Sequence, residues 1–441
     1  MQLITEHRMN QKILRLAIPN IVSNITVPLL GLVDLALMGH LDSEIYIGAI
    51  ALGGVIFNFI YWGFSFLRMS TTGFTAQAYG EKNTTETITI LARALLLVAF
   101  VSVFILTLQS PIAWASFKII GGSPEVESLA KSYFGIRVWG APAALSLFVF
   151  NGWFLGMQNA RIPMIVAISV NVVNILLSAF FVFVLHMNSN GVALGTAISQ
   201  YTGLLIAAIF FFKNYRHLMV LVSRKGIMNL KVLGNFFRVN TDIFIRTFCI
   251  IAVFTFFTSK SASIDNTILA VNSLLIQLLL FFSFFIDGFA FAGEALTGKY
   301  IGAKKLPELK KVVRLLFYWG AILAVGFTLL YLPGVRLILR ILTSQTEVIE
   351  SARPFLPWIV LVPIASFASF IWDGIYIGAT ASRAMRNTLL LSTFAVFAPV
   401  YYFLAPLWGN HALWLGMLLF MLFRGLIQTI LYKKAILNRL L

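Results

Sequence analysis

Apolar residues run along this 441-residue chain in long blocks, separated by short stretches that carry most of its charge. A block of 18 or more such residues, wound as a helix, crosses a hydrocarbon layer roughly 30 Å thick. Twelve spans are predicted, over 13–40, 49–79, 88–117, 128–153, 162–186, 190–214, 233–259, 267–293, 312–337, 355–379, 388–408 and 411–432. The first block is too long for a signal-peptide core and lacks a small-residue cleavage site, so it is expected to remain as a span. The predicted fold is an all-α polytopic membrane protein with no soluble domain.

The pattern repeats at an offset of 222 residues. Asn151-Gly-Trp-Phe-Leu-Gly156 returns as Asp373-Gly-Ile-Tyr-Ile-Gly378, and Gly80-Glu-Lys82 returns as Gly302-Ala-Lys304. Ala193-Leu-Gly195 returns one residue out of step as Trp414-Leu-Gly416. Two weakly similar apolar halves are the signature of a transporter that rocks one bundle against the other. The expected organisation is a six-helix bundle over 1–214, a basic linker over 215–232 and a second six-helix bundle over 233–441. An even number of spans per half gives both halves the same orientation, related by an axis near the membrane normal.

Composition sharpens the class. Hydrophobic residues make up 59% and charged residues 11%, with a mean hydropathy of +0.90; a soluble domain carries about 25% charge. The net charge of +17 suggests a nucleic-acid partner until its distribution is read. Lys and Arg concentrate at both ends and in the loops after even-numbered spans. That is the positive-inside bias, placing both termini in the cytoplasm of a cell membrane, for a bacterium the inner one. The same clusters suit anionic membrane lipids, and no nucleic acid is expected. The single cysteine, Cys249, excludes an internal disulfide.

A charge inside a span is expensive, so each asks for a reason. Asp34, Asp242, Asp287, Glu294 and Asp373 lie in spans or at their edges, with Arg68, Arg246 and Arg424 as basic candidates. Asp242 and Arg246 are four residues apart, the spacing of an ion pair on one helical face. With Glu294 and Asp373 they are expected to form an inner charge network in the second half, bracing it or closing a gate. Asp34 has no basic residue within a turn, which suits a carboxyl that loads and releases a proton. Pro19 and Pro28 precede it on the same span; each removes a backbone donor and can bend the helix. Neutral polar residues gather in the same half. Asn171, Asn174 and Ser178 share a face of span 5, and Thr196 and Gln200 share one of span 6.

With these residues in view, the chain resembles the multidrug and toxic compound extrusion (MATE) transporters, and within them the bacterial DinF subfamily. Ala17-Ile-Pro19-Asn, Val33-Asp34, Thr75-Ala-Gln77-Ala-Tyr-Gly80 and the two repeat motifs at 151 and 373 carry the resemblance. It covers nearly the whole chain and implies a MATE-like fold of two pseudo-symmetric six-helix bundles. It assigns Asp34 to cation coupling and Pro19 to helix bending, with Asn174 and Thr196 as neighbouring polar positions. Ser178 stands where many relatives carry a second aspartate, so a two-carboxylate site in the first half is not expected. The resemblance also makes Asp373 a reserve coupling residue.

The expected function is cation-coupled antiport, with protons as the coupling ion and sodium as the alternative, served by Asp34, Asn174, Ser178 and Thr196. Small organic cations or amphipathic drugs are the expected substrates, handled by a monomer. No cofactor, metal or catalytic residue is expected. Gly293-Glu-Ala-Leu-Thr-Gly298-Lys299 imitates a phosphate loop, but Tyr300 replaces its Ser or Thr and no strand precedes it. The five histidines are scattered, without metal-ligand spacing. An intramembrane enzyme finds no support in catalytic motifs. The competing reading is a flippase for lipid-linked or other amphipathic lipids, which would want a large cationic cavity.

Overall fold

The computed structural model describes the backbone of residues 2–39, 44–222, 224–227 and 229–439. It describes their side chains too, except at 2–5, 27, 29–32, 34–36, 38–39, 44, 224–225, 230–231 and 439. Every regular element among these residues is helical. The helices are α1 (Gln2–Gly39), α2 (Ile45–Gly80), α3 (Thr84–Thr107), α4 (Pro124–Gly156), α5 (Arg161–Val184), α6 (Asn188–Leu221), α7 (Val232–Ile264), α8 (Asn266–Gly302), α9 (Leu306–Leu342), α10 (Thr346–Gly378), α11 (Ser382–Trp408) and α12 (Asn410–Ala435). Among the described residues, the eleven from α2 onward are long and apolar enough to cross a membrane; α1 is the twelfth long helix. The predicted third span is interrupted at Leu108, beyond which a shorter helix, Gln109–Ile120, continues it.

The 222-residue repeat is written into the backbone as well as the sequence. Lys82 and Lys304 both adopt positive φ, and so do Gln158 and Thr380. Each follows the end of a helix, where a left-handed residue turns the chain and helps satisfy the last carbonyls. Asn83 N donates to Ala78 O and Lys305 N to Tyr300 O, each at 2.9 Å; Asn159 N to Phe154 O and Ala381 N to Tyr376 O follow suit, also at 2.9 Å. Helix crossings repeat too. Gly152 of α4 lies against the Arg68 carbonyl of α2, and Gly374 of α10 against the Ala290 carbonyl of α8, with no room for a Cβ at either place. Small residues at such crossings let two helix backbones approach closely.

The chain divides into two compact units, Met1–Ile21 with Asn235–Leu441, and Val22–Gly234. The division falls within α1, two residues after Pro19. The helix itself runs unbroken through both Pro19 and Pro28. In the first-named unit the start of α1 is held by α8 and α9. Trp319 donates to Asn10 Oδ1 at 3.1 Å, Arg314 pairs with Glu6, and Gly288 packs against Ala17 and Ile21. Buried Asn20 donates to Leu16 O at 2.8 Å, one residue past the proline that lacks a donor of its own.

In the Val22–Gly234 unit, Trp153 is fully buried and donates to Thr87 O at 2.9 Å, joining α4 to α3. Side chains such as Phe100 in that unit and Phe403 and Ile430 in the other are more than two-thirds exposed. Apolar surface of that kind is stable against lipid and unfavourable against water.

Candidate coupling site and the buried charge centre

The polar face of α5 forms from its spacing: Asn171, Asn174 and Ser178 follow one another by three and four residues. Asn159 starts this helix by accepting from the amides of Arg161 and Ile162, at 3.2 and 3.3 Å. Further along, Asn174 Nδ2 donates to Thr196 Oγ1 of α6 at 2.9 Å, and Thr196 donates onward to Val192 O at 2.8 Å. Gly195 allows this approach by leaving its Cβ position to Ser178 Oγ. The result is a buried pair, Asn174 at 1% and Ser178 at 0% exposure, beside half-buried Thr196.

Two oxygens in this cluster lack partners. Among the described residues nothing donates to Asn174 Oδ1 or bonds to Ser178 Oγ. An unsatisfied buried polar atom costs about 1–3 kcal/mol, so these oxygens are available to water, a proton-bearing group or a cation. One turn from Asn174 and Thr196 along their helices, Asn171 and Gln200 line a cavity of about 210 Å³, with Thr26, Tyr61 and Asn151 also on its polar wall and Phe148 on its aromatic one. Asn151 Oδ1 likewise has no partner among the described residues. Neutral oxygens and rings suit an organic cation, which rings attract through their negative faces. Asp34 belongs to the stretch of α1 in this unit, and its side chain lies outside the described residues. Pro28 is half-buried in the same unit, whereas buried Pro19 belongs to the other.

The second-half charges are arranged differently from the expectation. Asp242 and Arg246 do not pair with each other. Arg246 of α7 instead pairs with Asp373 of α10, and Asp242 pairs with Arg386 of α11 at 2.6 Å. Ser382 donates to the other Asp242 oxygen at 2.8 Å. Partners on neighbouring helices prevail because packing brings their guanidiniums within hydrogen-bond reach of the buried carboxylates, which spacing along α7 cannot reveal. Asp373 is the centre of the arrangement. Arg424 Nη2 of α12 reaches its Oδ2 at 2.7 Å, and Gln428 donates to its Oδ1 at 3.1 Å. Arg424 is 2% and Asp373 7% exposed. Glu294 is buried on α8, with Gly378 against its backbone carbonyl.

The expected single network is therefore at least two clusters: a three-helix centre on Asp373, and Asp242 held by α11. Sequence reasoning missed Arg386, Ser382 and Gln428. Gln428 carried a usable signal, four residues after Arg424 and so on its face. Arg386 and Ser382 lay just before the predicted eleventh span. The motif Gly293–Lys299 is an uninterrupted part of α8, so it forms no phosphate-cradling loop.

Comparison with known proteins places these features in context. The MatE family profile matches residues 19–180 and 243–403, two blocks at nearly the spacing of the internal repeat. The chain is 40% identical over 424 residues to DNA damage-inducible protein F of Escherichia coli (strain K12), covering 95% of this chain and 91% of that protein. It is 26% identical to the probable multidrug resistance protein NorM of Thermotoga maritima, over 97% and 94% of the two chains. Among solved structures, the Vibrio cholerae MATE transporter VcmN in its bent form superimposes with a TM-score of 0.87 at 18% identity, covering 99% of this chain and 98% of that one.

Proposed function

Because the chain belongs to the MatE family of membrane transporters and is homologous to multidrug efflux proteins, we propose that it is a proton-coupled antiporter exporting amphipathic organic cations. The observation that carries the reading is a contrast between the two halves. In the second, the Asp373 carboxylate is already claimed by two guanidiniums and an amide. In the first, buried oxygens of Asn174 and Ser178 have no partner among the described residues, one and two turns along α5 from Asn171 in the wall of a polar and aromatic cavity. A carboxylate locked by two arginines is poorly suited to exchange ions during a cycle. Coupling is therefore assigned to Asp34 with Asn174, Ser178 and Thr196.

In the cycle, ionised Asp34 favours a cationic substrate. A proton arriving from outside neutralises it, and the substrate loses its counter-charge. Alternating access of the two halves follows, with α1 bending near Pro19 and Pro28. The change of unit between Ile21 and Val22 supports α1 as the element that transmits the event. One charge crossing 100 mV contributes about 2.3 kcal/mol. The orientation, with both termini cytoplasmic, rests on the distribution of Lys and Arg.

Sodium is the second reading, favoured by the unsatisfied Asn174 and Ser178 oxygens, since a hard cation binds such groups. The lipid-flippase reading is weakened because Arg246 and Arg424 are both committed to Asp373. Efflux of a cationic dye from proteoliposomes, driven by a proton gradient without sodium, tests the proposal. Efflux should require the gradient and vanish in Asp34→Asn. Full coupled efflux in that variant would exclude the assignment, and efflux driven only by a sodium gradient would establish the second reading.

A further inference from the structure

Where α7 and α11 meet, Arg238, Asp242, Arg383 and Arg386 line a cavity of about 330 Å³ that the transport reading does not use. Among the described residues its one carboxylate is engaged at both oxygens: Asp242 Oδ1 takes Arg386 Nη1 at 2.6 Å, and Oδ2 takes Ser382 Oγ at 2.8 Å. Arg386 is itself committed, with Nε and Nη2 on Asn387 Oδ1 at 3.1 and 2.9 Å. Arg238 and Arg383 differ. Both are exposed, and among the described residues neither has an ion pair or a side-chain hydrogen bond. The wall thus carries two guanidiniums in excess of its negative charge, each with a planar fork of open donors. The first turn of α11 opens here as well, and no side chain caps it. Its partial positive charge adds to that of the arginines.

We propose that this cavity binds a phosphate group, held by Arg238 and Arg383, with Arg386 and Asp242 as the fixed floor. Arginine forks match tetrahedral oxyanions through paired, charge-assisted hydrogen bonds, which a diffuse basic surface does not supply. A metal cation is disfavoured by the excess positive charge and by the lack of a free carboxylate oxygen. The phosphate has two possible sources, a lipid head group or the free ion. Arg238 and Arg383 lie at the ends of their helices that the charge bias assigns to the cytoplasmic surface. The site shares no residue with the coupling set and does not depend on its assignment.

The test uses the full purified chain in zwitterionic detergent and in phosphatidylcholine nanodiscs. In one arm inorganic phosphate is titrated calorimetrically at low ionic strength. In the other, nanodiscs are doped with phosphatidic acid and broadening of its phosphorus NMR resonance is followed. Saturable binding is expected in at least one arm, weakened about tenfold or more by Arg238→Gln/Arg383→Gln. Binding of inorganic phosphate identifies the free ion as a sufficient ligand; a response confined to phosphatidic acid identifies the head group. Arg238→Lys/Arg383→Lys keeps the charge but loses the forks, and should bind more weakly than wild type while folding normally. Lys310→Gln/Lys311→Gln removes equal charge elsewhere and should bind like wild type. No saturable binding in either arm, or equal weakening by the two glutamine pairs, overturns the proposal.

Discussion

Replacing Asp373 by Asn isolates the most heavily constrained charge in the second half. The carboxylate is 7% exposed and serves Arg246, 11% exposed, and Arg424, 2% exposed. An ion pair at about 4 Å and an effective dielectric constant of about 20 is worth roughly 4 kcal/mol. Two such attractions are offset by mutual repulsion of the guanidiniums and by the desolvation already incurred. Removing one partner of a buried pair costs about 3–5 kcal/mol, because it strands the opposite charge. Asp373→Asn strands two, so a loss at the upper end of that range is expected, while the amide still fits the space. The assay is reversible unfolding in mixed micelles titrated with denaturing detergent. Adding Arg246→Met should recover part of the loss, since one stranded cation is removed; the double-mutant cycle should show a coupling energy of at least about 1 kcal/mol. If Asp373→Asn were as stable as wild type but had lost coupled transport, the centre would be a coupling site and not a brace. That result would also return Asp373 to the role the family resemblance holds in reserve.

Other perturbations separate structure from function. Gly374→Val and Gly152→Val should each reduce the yield of monodisperse protein, since a side chain would meet the Ala290 or Arg68 carbonyl; Gly326→Ala, with open space around its Cβ, should not. Asn174→Leu removes the bond to Thr196 and a potential cation ligand, so coupled dye efflux should fall about tenfold or more, with stability changed by about 1 kcal/mol. Normal efflux in this variant would remove Asn174 from the site. Nearly buried Arg93 holds Glu86 at 2.6 Å and the Gly226 carbonyl at 2.7 Å. Arg93→Gln should therefore speed tryptic cleavage after Arg224 and Lys225, and unchanged cleavage would show that this bond does not secure the segment.

Several features of the fold were legible in the chain because they depend on near neighbours. Block length and apolarity predict spans, and a sequence repeat predicts repeated geometry. Gly152 and Gly374 hold matching places in the two motifs, and both lie against a neighbouring helix's carbonyl. Lys82 and Lys304 could also be matched, but their shared left-handed backbone could not be read, since neither residue type announces it. The polar spacing of α5 correctly put Asn174 and Ser178 on one face. That Asn174 Oδ1 and Ser178 Oγ have no partner among the described residues emerged only when the surrounding groups were in place.

The charges show where sequence reasoning stops. A four-residue spacing made Asp242 and Arg246 natural partners, and nothing along α7 argued otherwise. Arg386 lies 144 residues from Asp242, and Asp373 lies 127 residues from Arg246; only packing brings them together. The chain alone determined that this protein is a bundle of membrane helices built twice over, because water and lipid impose one pattern on every helix independently. Tertiary structure decided which buried charge is locked, which oxygen is left without a partner and which arginines remain open. Those outcomes depend on distances between helices, and a side chain's chemistry is set by the groups that reach it through space.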